Sequence, residues 1–371
     1  MPLLDRYILK EWLKVFIMAT GAMVGLLLIG QVFGTMQDFF QWKTGAGKVA
    51  LFYLEQVPSM MPIVLPVATL ISMLFVLGHL HKNQELTAMR AAGLSMRRIT
   101  RTLWIGGAAC TLLLMVLNAK VIPVSIEAAR SLSEHEERAY NIRKGGTSAG
   151  SESAPAVFFD NGRDNRRWRI GGLAAYTGHA RFAQVFELAA DGTPLRQIFA
   201  EEADYDTARG FWVFQRGRRF TYSENGTGTP EQTAFTTLEM PAYTEKPIHM
   251  LLMTKKPSGL SLGEIDTLLS LSGDLESTKT AALSVRYHSI LASPFGCLIV
   301  VGLAIPFAVA GVRTNPMVGV SKAIGIFALY FMLDKVGYAL GSQQIIPAVL
   351  AAWIPNIIAL GFAFHFCRKV D

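Results

Sequence analysis

The chain has 371 residues, of which 51% are hydrophobic, and its mean hydropathy is +0.32. That composition excludes an ordinary soluble domain and predicts a chain that crosses a membrane several times. The formal net charge is +7, but residues 151–250 carry slightly more acidic than basic side chains, so the basic excess lies beside the apolar runs. This placement argues against nucleic acid as a partner and favours contact with anionic membrane lipid.

Six apolar runs are long enough to span a bilayer, which requires about 20 helical residues. They are 15–34, 58–80, 103–124, 290–311, 318–340 and 345–367. An amphipathic lead-in, 5–14, precedes the first run, and a connection, 35–57, separates the first two. Six spans place both termini on one side. Eleven Lys/Arg fall in the short segments of that side and two on the other, so both termini are predicted to be cytoplasmic.

The polar segment 81–101, HKNQELTAMRAAGLSMRRITR, separates the second and third runs. Asn83 stands where an N-cap belongs, and Gly93 stands where a helix would end in a left-handed residue. A short surface helix is therefore predicted at 83–92, and Ser95 is expected to cap the next helix. The alternative is an ordinary basic loop on the cytoplasmic side.

The segment 125–289, between the third and fourth runs, is predicted to lie outside the cytoplasm. It begins with a charged helix, 127–144, and a Gly/Ser linker, 145–150. Short strands follow, with Asp191-Gly192 and Asn225-Gly226 as hairpin turns. The strands are predicted at 156–159, 167–170, 182–188, 195–200 and 211–222. Their spacing indicates a sandwich or an open barrel, and an amphipathic helix at 260–280 would return to the membrane.

No catalytic constellation is evident. The nearest approach to a nucleotide-binding P-loop, Gly45-Ala46-Gly47-Lys48, is too short, so the chain itself is not expected to hydrolyse ATP. His79 and His81 would point to different faces of a helix, which is more typical of interfacial polar residues than of metal ligands. The sequence therefore predicts a protein that is not an enzyme and has no cofactor.

Polar residues recur at one depth near the outer ends of the spans. An ionisable group inside a span is costly unless it is paired or faces water, so these residues predict a polar collar that could meet a lipid headgroup. The alternative is that the lysines extend individually to the membrane interface. The residues are Gln31, Asp38, Lys43, Asn118, Lys120, Asp334 and Lys335.

Four stretches resemble the LptF/LptG permeases, the membrane subunits of the lipopolysaccharide-export ABC transporter. They are Glu-Leu-Thr-Ala-Met-Arg-Ala-Ala-Gly-Leu-Ser at 85–95, Asp-Arg-Tyr-Ile at 5–8, Tyr-Phe-Met-Leu-Asp-Lys at 330–335 and Ala-Trp-Ile-Pro-Asn at 352–356. The resemblance covers both membrane halves, 3–143 and 260–368, and is weakest between them. Residues 4–7 and the run ending at Lys335 are more similar to the G-type than to the F-type subunit.

The resemblance implies an α-helical polytopic membrane protein with six transmembrane helices and a periplasmic β-jellyroll domain between helices 3 and 4. The N-terminal membrane half would comprise 1–144, the jellyroll-like domain 150–255 and the C-terminal membrane half 256–371. Such a protein resides in the bacterial inner membrane.

The resemblance also implies roles for individual residues. Glu85 matches the acid of the family's coupling helix, which engages the ATPase. Leu86 and Met89 would form an apolar ridge that fills a groove on that partner, next to Arg90 and Gly93. The alternative is that Glu85 is only a solvated capping acid. Candidate contacts to substrate phosphates and headgroup are Lys43, Lys48, Lys120, Arg130, Asp334 and Lys335.

Three functions compete. The first is a permease that, with a cytoplasmic ABC ATPase dimer and a paralogous permease subunit, extracts lipopolysaccharide from the outer leaflet of the inner membrane. Its β domain would pass the acyl chains to a periplasmic jellyroll carrier protein. The second is a mechanotransmission protein that moves its outer domain without transporting lipid. The insert after span three argues against it, because such proteins place the insert after span one. The third, an anchored enzyme or scaffold, lacks a catalytic constellation in 151–250.

Overall fold

The computed structural model describes residues 3–144, 156–174, 177–189, 191–222, 229–255, 257–273, 278–309 and 316–368. The linker 145–150 and the Asn225-Gly226 turn lie outside these ranges. The chain divides into two compact units. Residues 1–140 and 284–371 form the membrane unit, and residues 141–283 form the β unit.

Six helical stretches in the described part are long and apolar enough to cross a membrane. The helices of the chain are α1 (Leu3–Trp42), α2 (Ala46–Lys82), α3 (Glu85–Ala91), α4 (Met96–Val116), α5 (Ile122–Arg143), α6 (Pro247–Leu252), α7 (Leu262–Ser272), α8 (Thr278–Ala292), α9 (Gly296–Val309), α10 (Pro316–Ser342) and α11 (Ala348–Arg368). Four predicted spans lie within α1, α2, α4–α5 and α10. The span 290–311 overlaps α8–α9, with its last two residues outside the described ranges, and the span 345–367 begins three residues before α11.

The predicted connection 35–57 is wrong, because α1 and α2 are joined by residues 43–45 alone. No glycine or proline interrupts the chain between Thr35 and Thr44, so the helix continues until Lys43 adopts a left-handed φ of 55°. Aromatic packing stabilises the extension: Phe39 and Phe52 are buried together, with ring centroids 4.8 Å apart. The two helices therefore exceed the length that the hydrocarbon core requires.

The third span continues without a break into the predicted helix 127–144. A π-helical turn, Leu117–Val121, joins α4 to α5. The fourth span, in contrast, is interrupted by a 3₁₀ turn at Ser293–Phe295, because Pro294 lacks the N–H that would bond to the carbonyl of Ile290. Asn118 Nδ2 donates to that carbonyl at 2.9 Å, so the π-helical turn satisfies the group that the proline leaves exposed.

A second amide supports the same interruption. Asn356 of α11 is buried, and its Nδ2 donates to the carbonyl of Ala292 at 3.1 Å. Tyr330 of α10 donates its hydroxyl to Asn356 Oδ1 at 2.7 Å. Spans three, five and six are thereby linked to the broken fourth span through neutral hydrogen bonds, which cost less in an apolar medium than charges would.

The β unit contains one antiparallel sheet whose strands pair in sequence order. They are β1 (Val157–Asn161), β2 (Arg166–Leu173), β3 (His179–Leu188), β4 (Pro194–Asp206), β5 (Phe211–Thr221) and β6 (Glu231–Met240). The first five match the predicted strands, and the Asp191-Gly192 hairpin is confirmed, with Gly192 at φ 86°. The sequence did not indicate β6, because most of its residues are exposed and polar. This sheet order does not by itself confirm a jellyroll.

Alternate strand residues build an aromatic core in the β unit. Trp168, Trp212, Phe159, Phe214 and Tyr243 are each no more than 1% exposed. The helix α6, which was not predicted, adds Met250 and Leu251 to this core. The predicted helix 260–280 is confirmed only as α7, which opens with a Ser261–Glu264 capping box.

A buried charge pair lies beside the aromatic core. Arg166 Nε is 2.8 Å from Glu245 Oε1, and both side chains are almost fully buried. The guanidinium also stacks on the ring of Tyr243, 4.8 Å from its centroid. Burial, together with the negative charge of Glu187, raises the pKa of the Tyr243 hydroxyl.

Candidate coupling and substrate sites

The segment 81–101 folds as a helix–turn–helix that includes α3. The predicted helix 83–92 is shorter than expected, because Asn83 caps the C-terminus of α2 and Gln84, at φ 60°, turns the chain into α3. Gly93 ends α3 at φ 86° and Ser95 caps α4 by accepting a hydrogen bond from the Arg98 N–H, both as predicted.

Glu85 lies in the first turn of α3, where the helix dipole favours a carboxylate. Its Oε2 accepts a hydrogen bond from the Tyr7 hydroxyl at 3.1 Å. The side-chain amide of Asn83 lies 3.4 Å from Oε1. Glu85 is thus held by neutral donors at the surface of the membrane unit.

The apolar ridge of α3 faces inward. Leu86 is 2% exposed and belongs to the core of the membrane unit, and Met89 packs against that core. Burial leaves Leu86 little surface for a groove on a partner, whereas Met89 is only partly buried. The exposed face of α3 instead carries Thr87, Ala88 and Arg90.

The start of α1 forms the other wall of this region. Asp5 Oδ2 accepts a hydrogen bond from Arg98 Nη2 at 3.3 Å, and Ile8 and Trp12 are buried in the same core as Leu86. Trp12 lies against Gly106 of α4, where a Cβ would contact the indole ring. The first turns of α1 therefore pack against α4, and Tyr7 adds a hydrogen bond to Glu85 of α3.

The predicted headgroup residues are spread over several helices and turns of the membrane unit. Lys43 is exposed at the turn between α1 and α2, and Lys120 is exposed in the π-helical turn. Lys48 Nζ is 2.6 Å from Glu136 Oε1, and Glu136 is almost fully buried. Arg130 forms an ion pair with Glu127 at 3.0 Å. Lys48 and Arg130 thus have structural partners, whereas Lys43 extends from a helix–helix turn.

Asp334 and Lys335 are paired with each other in α10. Lys335 Nζ is 3.0 Å from Asp334 Oδ2 and 4.7 Å from the centroid of the Phe331 ring. Arg286 of α8 also interacts electrostatically with Asp334, and its Nε is buried without a hydrogen-bond partner among the described residues. Lys335 is therefore paired directly with Asp334, whereas Arg286 interacts with it only at longer range.

The sequence did not single out Arg286, because the fourth span was predicted to begin at 290. The sequence feature that could have identified Arg286 is its position, as a basic residue four positions before the apolar run. A search of the described residues found no group of three or more His, Cys, Asp or Glu side chains placed to hold a metal ion.

Comparison with known proteins identifies the family. A comparison with curated protein sequences gave no match. The family model described as "Lipopolysaccharide export system permease LptF/LptG" matches residues 6–369, nearly the whole chain. That range includes α3, the β unit between the third and fourth spans, and the polar pair in α10. The chain belongs to the LptF/LptG family of lipopolysaccharide export permeases.

Proposed function

We propose that the chain is the transmembrane subunit of an ABC transporter that extracts lipopolysaccharide from the outer leaflet of the inner membrane. Membership of the family, together with six apolar helices, indicates a multi-pass inner-membrane protein of lipopolysaccharide export. The observation that carries the proposal is the charged, partly exposed Glu85 on a short helix fixed to the membrane unit. Such a helix suits contact with a separate ATPase, and the excess of Lys/Arg on its side supports a cytoplasmic location for both termini.

A paralogous permease is the proposed partner of α1 and α10. None of the apolar window of α1 and 6% of that of α10 is buried, against 61% for α2 and 67% for the α8–α9 span. Phe33 of α1 is 83% exposed and Met332 of α10 is 63% exposed. Lipid could cover such faces, but a permease of this family is expected to pair with a second one through its first and fifth spans.

Photo-crosslinking separates lipid from protein on these faces. A crosslinking amino acid placed at Phe33 or Met332 should capture the partner permease. The same group at Leu112 of α4, which is 64% exposed, should capture lipid alone. Equal capture of protein from all three positions, or from none, would contradict this pairing.

The substrate would meet basic groups near the outer ends of the spans. We assign this contact to Lys43 first, because it is exposed at the α1–α2 turn. Lys335, which is ion-paired with Asp334, and Arg286, which interacts with that carboxylate at longer range, together leave an excess positive charge that suits a phosphate. Lys120 is a weaker candidate, and Lys48 and Arg130 would first have to leave their carboxylate partners.

The β unit would hand the acyl chains to a periplasmic jellyroll carrier. Its own jellyroll form and the G-type identity of the chain belong to the same proposal, and both rest on the family and on the sequence resemblance. The aromatic interior is filled by its own side chains, so acyl chains could enter only if Tyr243 and α6 moved.

Reconstitution tests the transport function directly. The chain would be co-expressed with candidate ATPase and permease partners, and ATP-dependent release of lipopolysaccharide to an acceptor would be followed. Glu85→Lys should abolish ATPase association, whereas Glu137→Lys on the exposed surface of α5 should not. Association and release that survive Glu85→Lys would leave Glu85 as a solvated cap. An assembled complex that moves the β unit on ATP hydrolysis without releasing lipid would favour mechanotransmission.

A further inference from the structure

The start of α1 is bonded to the coupling region at two points. Tyr7 donates its hydroxyl to Glu85 Oε2 at 3.1 Å, and Asp5 accepts from Arg98 at 3.3 Å. The first contact lies at the beginning of α3 and the second lies in the first turn of α4, so the two contacts stand on either side of the Gly93 turn.

Buried apolar side chains of α1, α3 and α4 accompany these two hydrogen bonds. Ile8 of α1, Leu86 of α3, and Met96 and Ile99 of α4 are each no more than 4% exposed, and they belong to one continuous core. Close-packed cores transmit displacement because they compress very little. A push on α3 would therefore be delivered to the first two turns of α1.

Beyond these turns α1 packs along one side against α2. Its apolar window is not buried within the membrane unit. The helix has 40 residues, which corresponds to a length of about 60 Å at 1.5 Å per residue. A long, continuous helix that is bonded to α3 and α4 at its start can pass a displacement from one end towards the other.

The chemistry of Tyr7 suits an acid that must bind a cation. A phenolic hydroxyl orients a carboxylate by donating one hydrogen bond but does not neutralise its charge. A Lys or Arg at the same position would pair with Glu85 and compete with a basic group of the ATPase. The remaining lone pairs of Glu85 thus stay available while the direction of its side chain is set.

We propose that Tyr7 is a positioning residue that orients Glu85 for the ATPase and makes α1 the helix that receives the movement of α3. This inference rests on the proposed function, in which Glu85 meets the ATPase. It predicts that the loss of the Tyr7 hydroxyl uncouples ATP hydrolysis from lipid release without preventing assembly.

The test compares two single-atom deletions. Tyr7→Phe removes the bond to Glu85. Tyr53→Phe removes a different hydroxyl, which lies 3.0 Å from Thr35 Oγ1 and joins α2 to α1 far from α3 in the sequence. Tyr7→Phe should lower the lipopolysaccharide released per ATP about fivefold, the size expected for one ordinary hydrogen bond. Tyr53→Phe should release as much as the wild type, and both variants should retain the ATPase and the same unfolding midpoint. The inference is overturned if the two variants behave alike.

A double variant separates positioning from general support. If Tyr7 acts through Glu85, the variant carrying both Tyr7→Phe and Glu85→Gln should release no less lipid per ATP than Glu85→Gln alone. The inference is overturned if the double variant releases less lipid per ATP than Glu85→Gln by the same factor that separates Tyr7→Phe from the wild type. A wild-type chain that binds no ATPase would instead overturn the proposed function. If wild type and Tyr7→Phe both release the same amount of lipid per ATP, the proposed role of Tyr7 is overturned and the proposed function stands.

Discussion

The two compact units handle apolar surface in different ways. In the β unit, large aromatic side chains turn inward and pack on one another, as Trp168 does with Trp212 at a ring separation of 5.3 Å. In the membrane unit, α2, α4 and α9 supply most of the core, while α1 and α10 present Phe33 and Met332 outward. The β unit has its own interior, whereas two spans of the membrane unit need lipid or a second protein to cover them.

Their buried polar groups differ in the same sense. The β unit buries an ion pair, Arg166 with Glu245, next to a sheet that supplies further hydrogen bonds. At its broken span the membrane unit uses the amides of Asn118 and Asn356. Neutral donors satisfy exposed carbonyls at a smaller desolvation cost than charges, which matters most where no water is close. The membrane unit also buries charged groups, as Asp5 and Glu136 show, but each of these two has a basic partner, Arg98 or Lys48.

The largest expected effect is on the β-unit core. Trp168→Ala would remove an indole that is 1% exposed and should lower the free energy of unfolding by about 3–5 kcal/mol. Phe158 lies on the neighbouring strand β1 and its side chain is 62% exposed, so Phe158→Ala should lower the free energy of unfolding by less than about 1 kcal/mol. Chemical unfolding of the purified protein, followed by the circular dichroism of its sheet, measures both. Equal losses of unfolding free energy in the two variants would show that Trp168 is not buried in a packed core.

A smaller loss is expected at the broken fourth span. Asn356→Leu would leave the Ala292 carbonyl and the Tyr330 hydroxyl without their partner and should destabilise the membrane unit by about 1–3 kcal/mol. Gln343→Leu, which changes an exposed amide just after α10, serves as the control and should be nearly neutral. Thermal unfolding in detergent distinguishes them. A neutral Asn356→Leu would mean that another group satisfies the carbonyl.

A substitution on the exposed face of α1 should affect association with a partner rather than the stability of the isolated chain. Phe33→Ala should change the stability of the isolated chain by less than about 0.5 kcal/mol, because the side chain is 83% exposed. The same change should weaken association with the partner permease by roughly tenfold if this residue anchors the contact. Leu112→Ala on α4 is the matched control and should leave association unchanged. Co-purification at decreasing expression levels measures the difference.

The smallest effect concerns pH. Burial lowers the pKa of His249 in α6, and the neighbouring Lys246 adds to the shift. Because the folded state favours the neutral imidazole, the β unit should be fully stable above the ordinary histidine pKa of about 6.5 and should lose stability as the pH falls below it. The unfolding midpoint should therefore drop between pH 7.5 and pH 5, and His249→Gln should flatten that drop. An unchanged pH profile in His249→Gln would contradict this assignment.

Much of the fold was predictable because its signals are local. An apolar run of about 20 residues indicates a span wherever it occurs, and Gly93 and Ser95 mark a helix end and a helix start by their own backbone and side-chain chemistry. The errors arose where two signals overlapped. Asn83 is a good capping residue, but α2 continues to it from the N-terminal side, so it ends one helix rather than starting the next.

The candidate site was only partly predictable. Glu85 was singled out by its motif, and the structure places it at the surface, where it accepts a hydrogen bond from Tyr7. The inward orientation of Leu86 was not evident, because a helix of seven residues can present either face to the core. Arg286 was missed because its significance depends on Asp334, which lies on another span.

The sequence by itself determined the number of spans, the strand character of the middle segment, and the short helix that carries Glu85. Each of these follows from composition or spacing within a few turns of chain. The tertiary structure alone decided that Tyr7 meets Glu85 across 78 positions, that Asn118 and Asn356 satisfy the broken fourth span, and that α1 and α10 are uncovered. Such contacts depend on how whole helices pack, and local patterns in one helix do not specify which face of a distant one it will meet.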